Sequence, residues 1–434
     1  MIIDYIKKQQ YLPLILIAGI ILRIFVFFTL DPFNNDGEEH FKYIEYIAEN
    51  RALPKADYSH QSFHPPLYHS MAAVIWKISA SLKCVQFLSL IFSCLGLLLI
   101  YKLLIDIVDE VIPRFLLLGF AAFLPQYVMF SLFVSNDSMS FLWGILLVTV
   151  IWRYIENHSK WKWVHIALVC GTGLLIKGVF LPYTVLLIVA FSVYFYFKKR
   201  SLKSAARDLA ILILIIIFIG HWRYTMNHLQ MGNALYSNLD ADYEWIDKQT
   251  QYWTGIGNLF DFRIWYLYDA PVYTHETASK YPVIYYGTFW YQHLPESSYK
   301  SNLNANWNWL ANIIFIVALP LTLFIISGIG IFIKKMIKLA YNQDNKSLIA
   351  CFAICLYLSN IALQYLMSYK THVNFLFQAR ISFAGFMGIL FLFYFAYTAF
   401  AKNKIIRNAV IVNAALIYCL FIFYFFIEFY LFLS

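Results

Sequence analysis

The stretch NNDGEEHFKYIEYIAENRALP, residues 34–54, holds the first side chains of this sequence that could do chemistry together. Asp36 can start a helix, and Glu39, three residues on, can complete a capping box. Asp36, His40 and Tyr43 then follow at three-to-four-residue spacing, so a carboxylate, an imidazole and a phenol share one side of that helix. A carboxylate held within hydrogen-bond reach of a hydroxyl can take its proton as the hydroxyl attacks. The same Asp36 also suits a plain N-cap. Phe41, Ile44 and Ile47-Ala48 form an apolar face opposite Lys42, Glu45 and Glu49, which predicts an amphipathic helix lying in a membrane interface.

Two further features carry polar groups. In HPPLY, residues 64–68, two prolines after His64 set an extended approach and suit the first position of a following helix, placing His64 and Tyr68 at a rigid elbow. In VSNDS, residues 134–138, Asn136-Asp137 is expected to form a tight turn with a helix cap, and it falls where it could reach the same surface.

The elements that must position these groups are membrane helices. Of 434 residues 61% are hydrophobic and only 13% charged, and the mean hydropathy is +0.63. A soluble domain runs near 45–50% apolar and about 25% charged, so a soluble enzyme, a disordered chain and a nucleic-acid-binding protein are excluded. A bilayer core of about 30 Å needs roughly 20 helical residues. Eleven spans are predicted, at about 11–30, 84–105, 115–134, 138–155, 163–181, 183–197, 208–223, 309–333, 348–368, 381–400 and 408–432. The fold class expected is an all-α polytopic membrane protein, one transmembrane domain over residues 1–434 with interfacial helices in its first outer loop.

Lys7-Lys8, Arg114, Arg153 with Lys160 and Lys162, Lys198 to Arg207, Lys334 to Lys338 and Lys402 to Arg407 all fall on one side under this count. The positive-inside rule makes that side cytoplasmic, with the amino terminus inside and the carboxyl terminus outside. The first span has a long apolar core and no small-residue cleavage site after it, so it is expected to stay as an anchor. The six cysteines all lie in apolar spans, none placed for a loop disulfide.

Two long segments, 31–66 and 224–308, lie outside. Nine of the eleven histidines (His40, His60, His64, His69, His221, His228, His275, His293, His372) fall on or near that face. Chemistry is therefore expected at the outer interface. No glycine-rich phosphate loop, His-Glu-x-x-His motif or Gly-x-Ser-x-Gly elbow is present. The large outer segment is crowded with aromatics, among them Trp222, Tyr224, Tyr243, Trp245, Tyr252, Trp253, Trp265, Tyr266, Trp290 and Tyr291, which suit sugar rings or an interface belt.

In this order and topology, Asp36-Gly37-Glu38-Glu39-His40, His64-Pro65-Pro66-Leu67-Tyr68 and Asn136-Asp137 resemble the GT-C superfamily of integral-membrane glycosyltransferases, in particular its protein O-mannosyltransferase and aminoarabinose-transferase-like branch. Leu175-Ile176-Lys177, Phe289-Trp290 and Gln378-Ala379-Arg380 are similar to further stretches of bacterial relatives. One departure is Gly37, where relatives often place an acid directly after the aspartate. The resemblance implies a sugar donor carried on a polyprenyl phosphate, an acceptor hydroxyl outside the membrane on a glycan, lipid or protein, and inversion at the anomeric carbon. It gives Asp36, then Glu39, as the base, and Arg380, Lys177 and Lys370 as holders of the donor phosphate. His40, His64, Tyr68, Asn136, Asp137, Trp290 and His372 become substrate contacts. Arginine suits a leaving phosphate because its planar fork binds two oxygens at once. An ionisable Lys177 near a span costs roughly 2.5–3.5 kcal/mol on insertion scales unless it faces a polar cavity.

No essential cofactor is expected. A divalent metal on His60, His64 and His69 with Asp36 or Glu39 is the alternative, although prolines flank these histidines and they share no helix face. A bacterial cytoplasmic membrane is the expected location, and the composition leaves no nucleic-acid partner. Two rival functions stay open: a transporter or lipid flippase, which would carry polar groups near the bilayer midplane, and a non-catalytic subunit of an envelope-glycan assembly system, for which an altered acidic motif would be the mark.

Overall fold

The computed structural model describes residues 11–33, 36–157, 162–197, 201–241, 246, 247, 250, 253–269, 280–291, 308–339 and 344–430. Tyr243, Trp245, Tyr252, His275 and His293 lie outside these, as do Lys7, Lys8, Lys160 and Lys198 to Arg200. Among the described residues every regular element is helical. In chain order the main ones are α1 (Leu12–Thr29), α2 (Gly37–Asn50), α3 (Leu67–Ser79), α4 (Leu82–Ile107), α5 (Val111–Phe123), α6 (Pro125–Phe130), α7 (Asp137–Asn157) and α8 (Lys162–Leu174). They continue with α9 (Phe180–Phe197), α10 (Leu202–Gly220), α11 (Trp222–Met231), α12 (Tyr281–Trp290), α13 (Asn308–Leu339), α14 (Asn345–Thr371), a 3₁₀ turn Ala379–Gly385, α15 (Phe386–Phe400) and α16 (Lys404–Tyr430).

Helices with no open strand edge are what hydrocarbon requires. Among the described residues seven apolar stretches are long enough to cross a bilayer: α1, α4, α7, α13, α14, α15 with its preceding 3₁₀ turn, and α16. This is a multi-pass membrane protein. The count of eleven is not reproduced, because α5, α8 and most of α9 are shorter apolar helices and the 19-residue α10 carries Lys203, Arg207 and Asp208 at its start. Two predicted spans are broken for visible reasons. The stretch 115–134 stops at Phe123, where Leu124 is extended and Pro125 begins α6. The stretch 163–181 stops at Leu174, and residues 175–179 form turns before α9.

The break before Pro125 would strand backbone acceptors inside the bilayer, since proline has no N–H to offer the Ala121 carbonyl four residues back. Arg23 of α1 supplies the donors. It is fully buried, and its guanidinium donates to the carbonyls of Ala121 at 3.1 Å and Ala122 at 3.0 Å, and to Ser93 Oγ at 2.9 Å. The one basic residue of the first span is therefore a cap for a broken helix.

α2 and α3 pack on each other over a core formed by Ile44, Ala48, Tyr68, Ala72 and Val85. The buried side of α2 is Gly37, His40, Tyr43, Ile44 and Ala48, so the buried stripe is rotated from the expected Phe41–Ile44–Ile47 face toward the histidine and the tyrosine.

Candidate active site

The expected capping box at the start of α2 does not form. Asp36 occupies the N-cap position, but its side chain makes no capping hydrogen bond; its carboxylate accepts instead from the guanidinium of Arg380. The same guanidinium donates to Asp137 Oδ2 at 3.4 Å and to Gln378 Oε1 at 2.7 Å, and it lies 4.8 Å over the Phe130 ring. Lys177 donates to the other oxygen of Asp137. Two carboxylates and two cations, drawn from four distant places in the chain, thus form one cluster. Its side chains differ in access: Asp137 is 3% exposed, Arg380 11%, Lys177 15% and Asp36 36%. Asp36 is the open carboxylate and Asp137 the enclosed one.

Local structure explains how each charge is held. Lys177 sits in the turn between α8 and α9, and that turn is clamped on both sides. Leu67 N, at the start of α3, donates to the Leu175 carbonyl at 2.8 Å, while Asn136 Nδ2 donates to the Ile176 carbonyl at 3.1 Å. The prolines of HPPLY therefore start α3 at the point where its first N–H meets the Lys177 turn. Arg380 follows Gln378, whose carbonyl accepts from Gln364 Nε2 of α14 at 2.8 Å, and Ala379 N donates to Thr288 Oγ1 of α12 at 3.0 Å. Two residues on, Ser382 Oγ is bonded to Tyr285 Oη at 2.7 Å. The large outer segment thus fixes the arginine through α12.

Beside the cluster lies a group of imidazoles, His40 and His69 buried and His64 half-buried. His40 Nδ1 is 2.9 Å from His69 Nε2. The His40 and His64 rings stack at 5.8 Å and 11°, and Tyr43 stacks on His69 at 4.2 Å. Burial lowers the His40 pKa to about 3, with Asp137 opposing the fall and Lys177 and Arg380 adding to it. Burial likewise holds His64 and His69 well below the usual imidazole range, and raises the Tyr43 phenol to about 12. The 2.9 Å between His40 Nδ1 and His69 Nε2 is a direct hydrogen bond, which leaves no room for a metal ion shared between those two nitrogens. Among the described residues no group of three or more His, Cys, Asp or Glu is arranged to hold one.

Other expected site residues lie elsewhere. Glu39 accepts from Lys42 Nζ at 2.5 Å and from His60 N at 3.0 Å. Burial acts to raise its pKa, but these two donors outweigh it and hold the carboxyl below its usual range. Tyr68 is buried with its hydroxyl 3.2 Å from Ser89 Oγ. Trp290 is enclosed among Phe120, Phe289 and Phe421, a core packing position. His372 caps the end of α14 in a left-handed conformation and stacks on Trp253 at 4.8 Å, and Lys370, in the last turn of α14, is exposed. Sequence reasoning named His69 only as a candidate metal ligand, and passed over Gln378 and Phe130 as members of the site. Gln378, two residues before Arg380, was within reach of such reasoning. Phe130 was not, because nothing in an apolar run marks which ring will face a guanidinium.

Residues 63–224 match the family model of the dolichyl-phosphate-mannose-protein mannosyltransferases. That segment includes His64-Pro65-Pro66, Asn136-Asp137 and Lys177, while Asp36 and Arg380 lie outside it. The resemblance to the GT-C superfamily holds. The structure is also similar to two solved structures of the Archaeoglobus fulgidus oligosaccharyltransferase. One is a complex with Zn and sulfate, at TM-score 0.49 and 11% identity, covering 93% of this chain and 52% of that one. The other is an apo form, at TM-score 0.48 and 14% identity, covering 97% and 55%. The chain thus spans about half the length of these proteins. No curated protein matches it.

Proposed function

We propose that this protein is a GT-C-type membrane glycosyltransferase that moves a sugar from a polyprenyl phosphate to an acceptor hydroxyl at the extracytoplasmic surface. The observation that carries the reading is the pair of carboxylates on one guanidinium: Arg380 binds the open Asp36 and the enclosed Asp137 at once, with Lys177 on the far oxygen of Asp137. The four charges sum to zero, so the cluster is balanced without substrate. A donor phosphodiester brings one negative charge and competes with Asp36 for the guanidinium, since arginine binds phosphate and carboxylate in the same bidentate manner. Asp36 is then released toward the acceptor.

The acceptor oxygen attacks the anomeric carbon as its proton passes to Asp36. The bond from that carbon to the phosphate oxygen breaks, and the polyprenyl phosphate leaves with the electron pair and a second negative charge. Arg380 and Lys177 stabilise that charge as it develops. Attack from the side opposite the phosphate gives inversion, and one open carboxylate is enough for it. The sugar's energy is already stored in the lipid phosphate, in keeping with a sequence that has no nucleotide loop. Cations supplied by side chains are also the reason no essential metal is proposed. His40, His64 and Asn136 border the donor site in this reading; Glu39, Tyr68, Trp290, Lys370 and His372 contribute at a distance.

The test is transfer by the purified protein in proteoliposomes, from radiolabelled polyprenyl-phosphate sugars to a panel of hydroxyl acceptors. Wild type should transfer, and Asp36→Asn should lose about 10²–10⁴-fold in rate while still binding the lipid phosphate. Unchanged transfer in Asp36→Asn would remove Asp36 as the base. Movement of the lipid across the bilayer with no transfer would favour the flippase reading.

A further inference from the structure

The first outer loop is gripped by a helix that the glycosyltransferase reading leaves without a role. α11 presents Arg223, Asn227 and Gln230 at i, i+4 and i+7, a spacing that puts them on one face, and all three bond to the main chain of residues 54–63. The Arg223 guanidinium, fully buried, donates to the Pro54 carbonyl at 3.1 Å and to the Ser62 carbonyl, and it lies 5.9 Å over the Tyr43 ring. Asn227, 2% exposed, donates from Nδ2 to the Phe63 carbonyl at 3.3 Å. Gln230 Oε1 accepts from Ala56 N at 3.3 Å. The next carbonyl, that of His64, accepts from Tyr43 Oη at 3.2 Å. Three consecutive carbonyls, Ser62 to His64, are thus each held by a different side chain. A charge is costly to bury unless it is hydrogen-bonded, so the guanidinium and the loop carbonyls hold each other in place.

That grip reaches the polar cluster along a short, stiff path. Pro65 and Pro66 follow His64 directly, and proline fixes its own φ, so the placement of residues 62–64 passes to Leu67 with little slack. Leu67 N donates to the Leu175 carbonyl at 2.8 Å. α11 also reaches the same turn directly: Tyr224 Oη donates to the Leu174 carbonyl at 3.4 Å. With Asn136 Nδ2 on the Ile176 carbonyl at 3.1 Å, the three carbonyls before Lys177 are bonded by α11, by α3 and by the residue that leads into α7. A turn held in this way fixes where the lysine side chain starts, and its ammonium then meets Asp137.

We infer that Arg223, Tyr224 and Asn227 are positioning residues for Lys177: α11 sets the turn from which the ammonium holds the donor's phosphate, a phosphate ester of a long isoprenoid alcohol. The inference rests on the glycosyltransferase reading for that ligand; the placement of the turn by α11 stands apart from it. Arg380, the other cation, is held through α12 and α14. Loss of the α11 bonds therefore acts on one cation of the pair and spares the other.

The experiment has two arms on the full chain in lipid bilayers, with Leu229→Ala, on the exposed side of α11, as the reference variant. In the first, deuterium uptake is followed for peptides spanning residues 172–180 and 379–385. Arg223→Gln and Tyr224→Phe should each speed uptake at 172–180 and leave 379–385 as in wild type, since the bonds that hold a turn set its local opening. Uptake at 172–180 that is unchanged in both variants, or raised equally at both segments, overturns the inference. In the second arm, binding of undecaprenyl phosphate is titrated. Arg223→Gln should weaken it about tenfold, and Arg223→Lys, which keeps a cation with N–H donors, should stay within about threefold of wild type. Because Arg223 acts through Lys177, the double variant with Lys177→Gln should bind as weakly as Lys177→Gln alone, a non-additivity that a general loss of structure does not produce. Additive losses overturn the inference. Tyr224→Phe removes one hydroxyl, should weaken binding about two- to tenfold, and decides the matter if Arg223→Gln does not fold. A wild type that binds no undecaprenyl phosphate, with uptake at 172–180 still faster in Tyr224→Phe, overturns the glycosyltransferase reading and the ligand named here with it, while the hold of α11 on the turn stands.

Discussion

Asp137 binds both cations of the cluster and is almost wholly enclosed, with 3% of its side chain exposed. Breaking a buried pair by removing one partner costs about 3–5 kcal/mol, because the remaining charge is left uncompensated. Asp137→Asn is therefore expected to lower the melting temperature by that equivalent. Undecaprenyl phosphate should then raise the melting temperature of the variant more than that of wild type, since the phosphate replaces the missing negative charge. Equal ligand stabilisation in the two proteins would count against phosphate binding at Arg380 and Lys177. A second consequence at this scale concerns acid. His40, His64 and His69 have folded-state pKa values below the unfolded value near 6.5, so the unfolded chain binds more protons and stability rises with pH. Their contribution is complete above about pH 6.5 and is lost as pH falls toward the folded value, about 3 for His40, at up to about 1.4 kcal/mol per pH unit for each ring. Melting curves from pH 7 to 4 should show this decline, and replacing His40 with Gln should flatten it. Asp36, His40, His64, Asp137, Lys177 and Arg380 were all legible in the sequence because each stands in a short polar motif within apolar text. What could not be read was the pairing: Asp36 looked like a helix cap, and only the arrival of Arg380, 344 residues away, shows that its carboxylate has another partner.

At the scale of elements, the 3₁₀ turn Ala379–Gly385 is the part that brings Arg380 to the cluster, and it runs against α7. Gly144 of α7 faces it so closely that an added Cβ would meet the Ala384 carbonyl. Gly328 of α13 makes a comparable approach to the Leu392 carbonyl, deeper in α15 and away from the site. Overpacking of this kind costs about 1–3 kcal/mol, so Gly144→Ala and Gly328→Ala should destabilise the protein to similar extents. Only Gly144→Ala displaces the segment that carries the guanidinium, and it alone should depress transfer at a temperature where both variants stay folded. Equal activity losses would mean that the turn does not set the arginine. The apolar helices themselves were readable from hydropathy, but their interruptions were not. Pro125 marks the break of 115–134, yet the reason it is tolerated is Arg23, about a hundred residues earlier, which a hydropathy reading registers only as a flaw in the first span. The break after Leu174 has no proline at all; it is held by Leu67 and Asn136 bonding to the turn, and contacts of that range leave no local mark.

At the scale of the molecule, the number of crossings sets which side of the membrane the polar cluster meets. The 13-residue helices α5 and α8 are each about 20 Å long at 1.5 Å per residue, short of a hydrocarbon core near 30 Å. A crossing there depends on neighbouring turns or on α6 to cover the rest. An apolar cavity of about 280 Å³ between α7, α9, α13 and α14, lined by Ile151, Tyr154, Phe191, Cys351 and Cys355, lies about 21 Å along α7 from Asp137 by the same rise, so it opens well away from the polar cluster. The basic clusters give a parity argument. Under eleven spans, Asn50 at the end of α2 and Lys338 in the last turn of α13 are separated by seven crossings and must lie on opposite sides. Both are exposed. In a background with the six cysteines replaced by serine, Asn50→Cys should react with a membrane-impermeant maleimide from the extracytoplasmic side, and Lys338→Cys only after permeabilisation. Labelling of both from one side would mean an even number of crossings between them, so that one short helix turns back within the bilayer. If Asn50→Cys were labelled only from the cytoplasm, the cluster of Asp36, Arg380, Asp137 and Lys177 would face the cytosol, and an extracytoplasmic acceptor could not reach it.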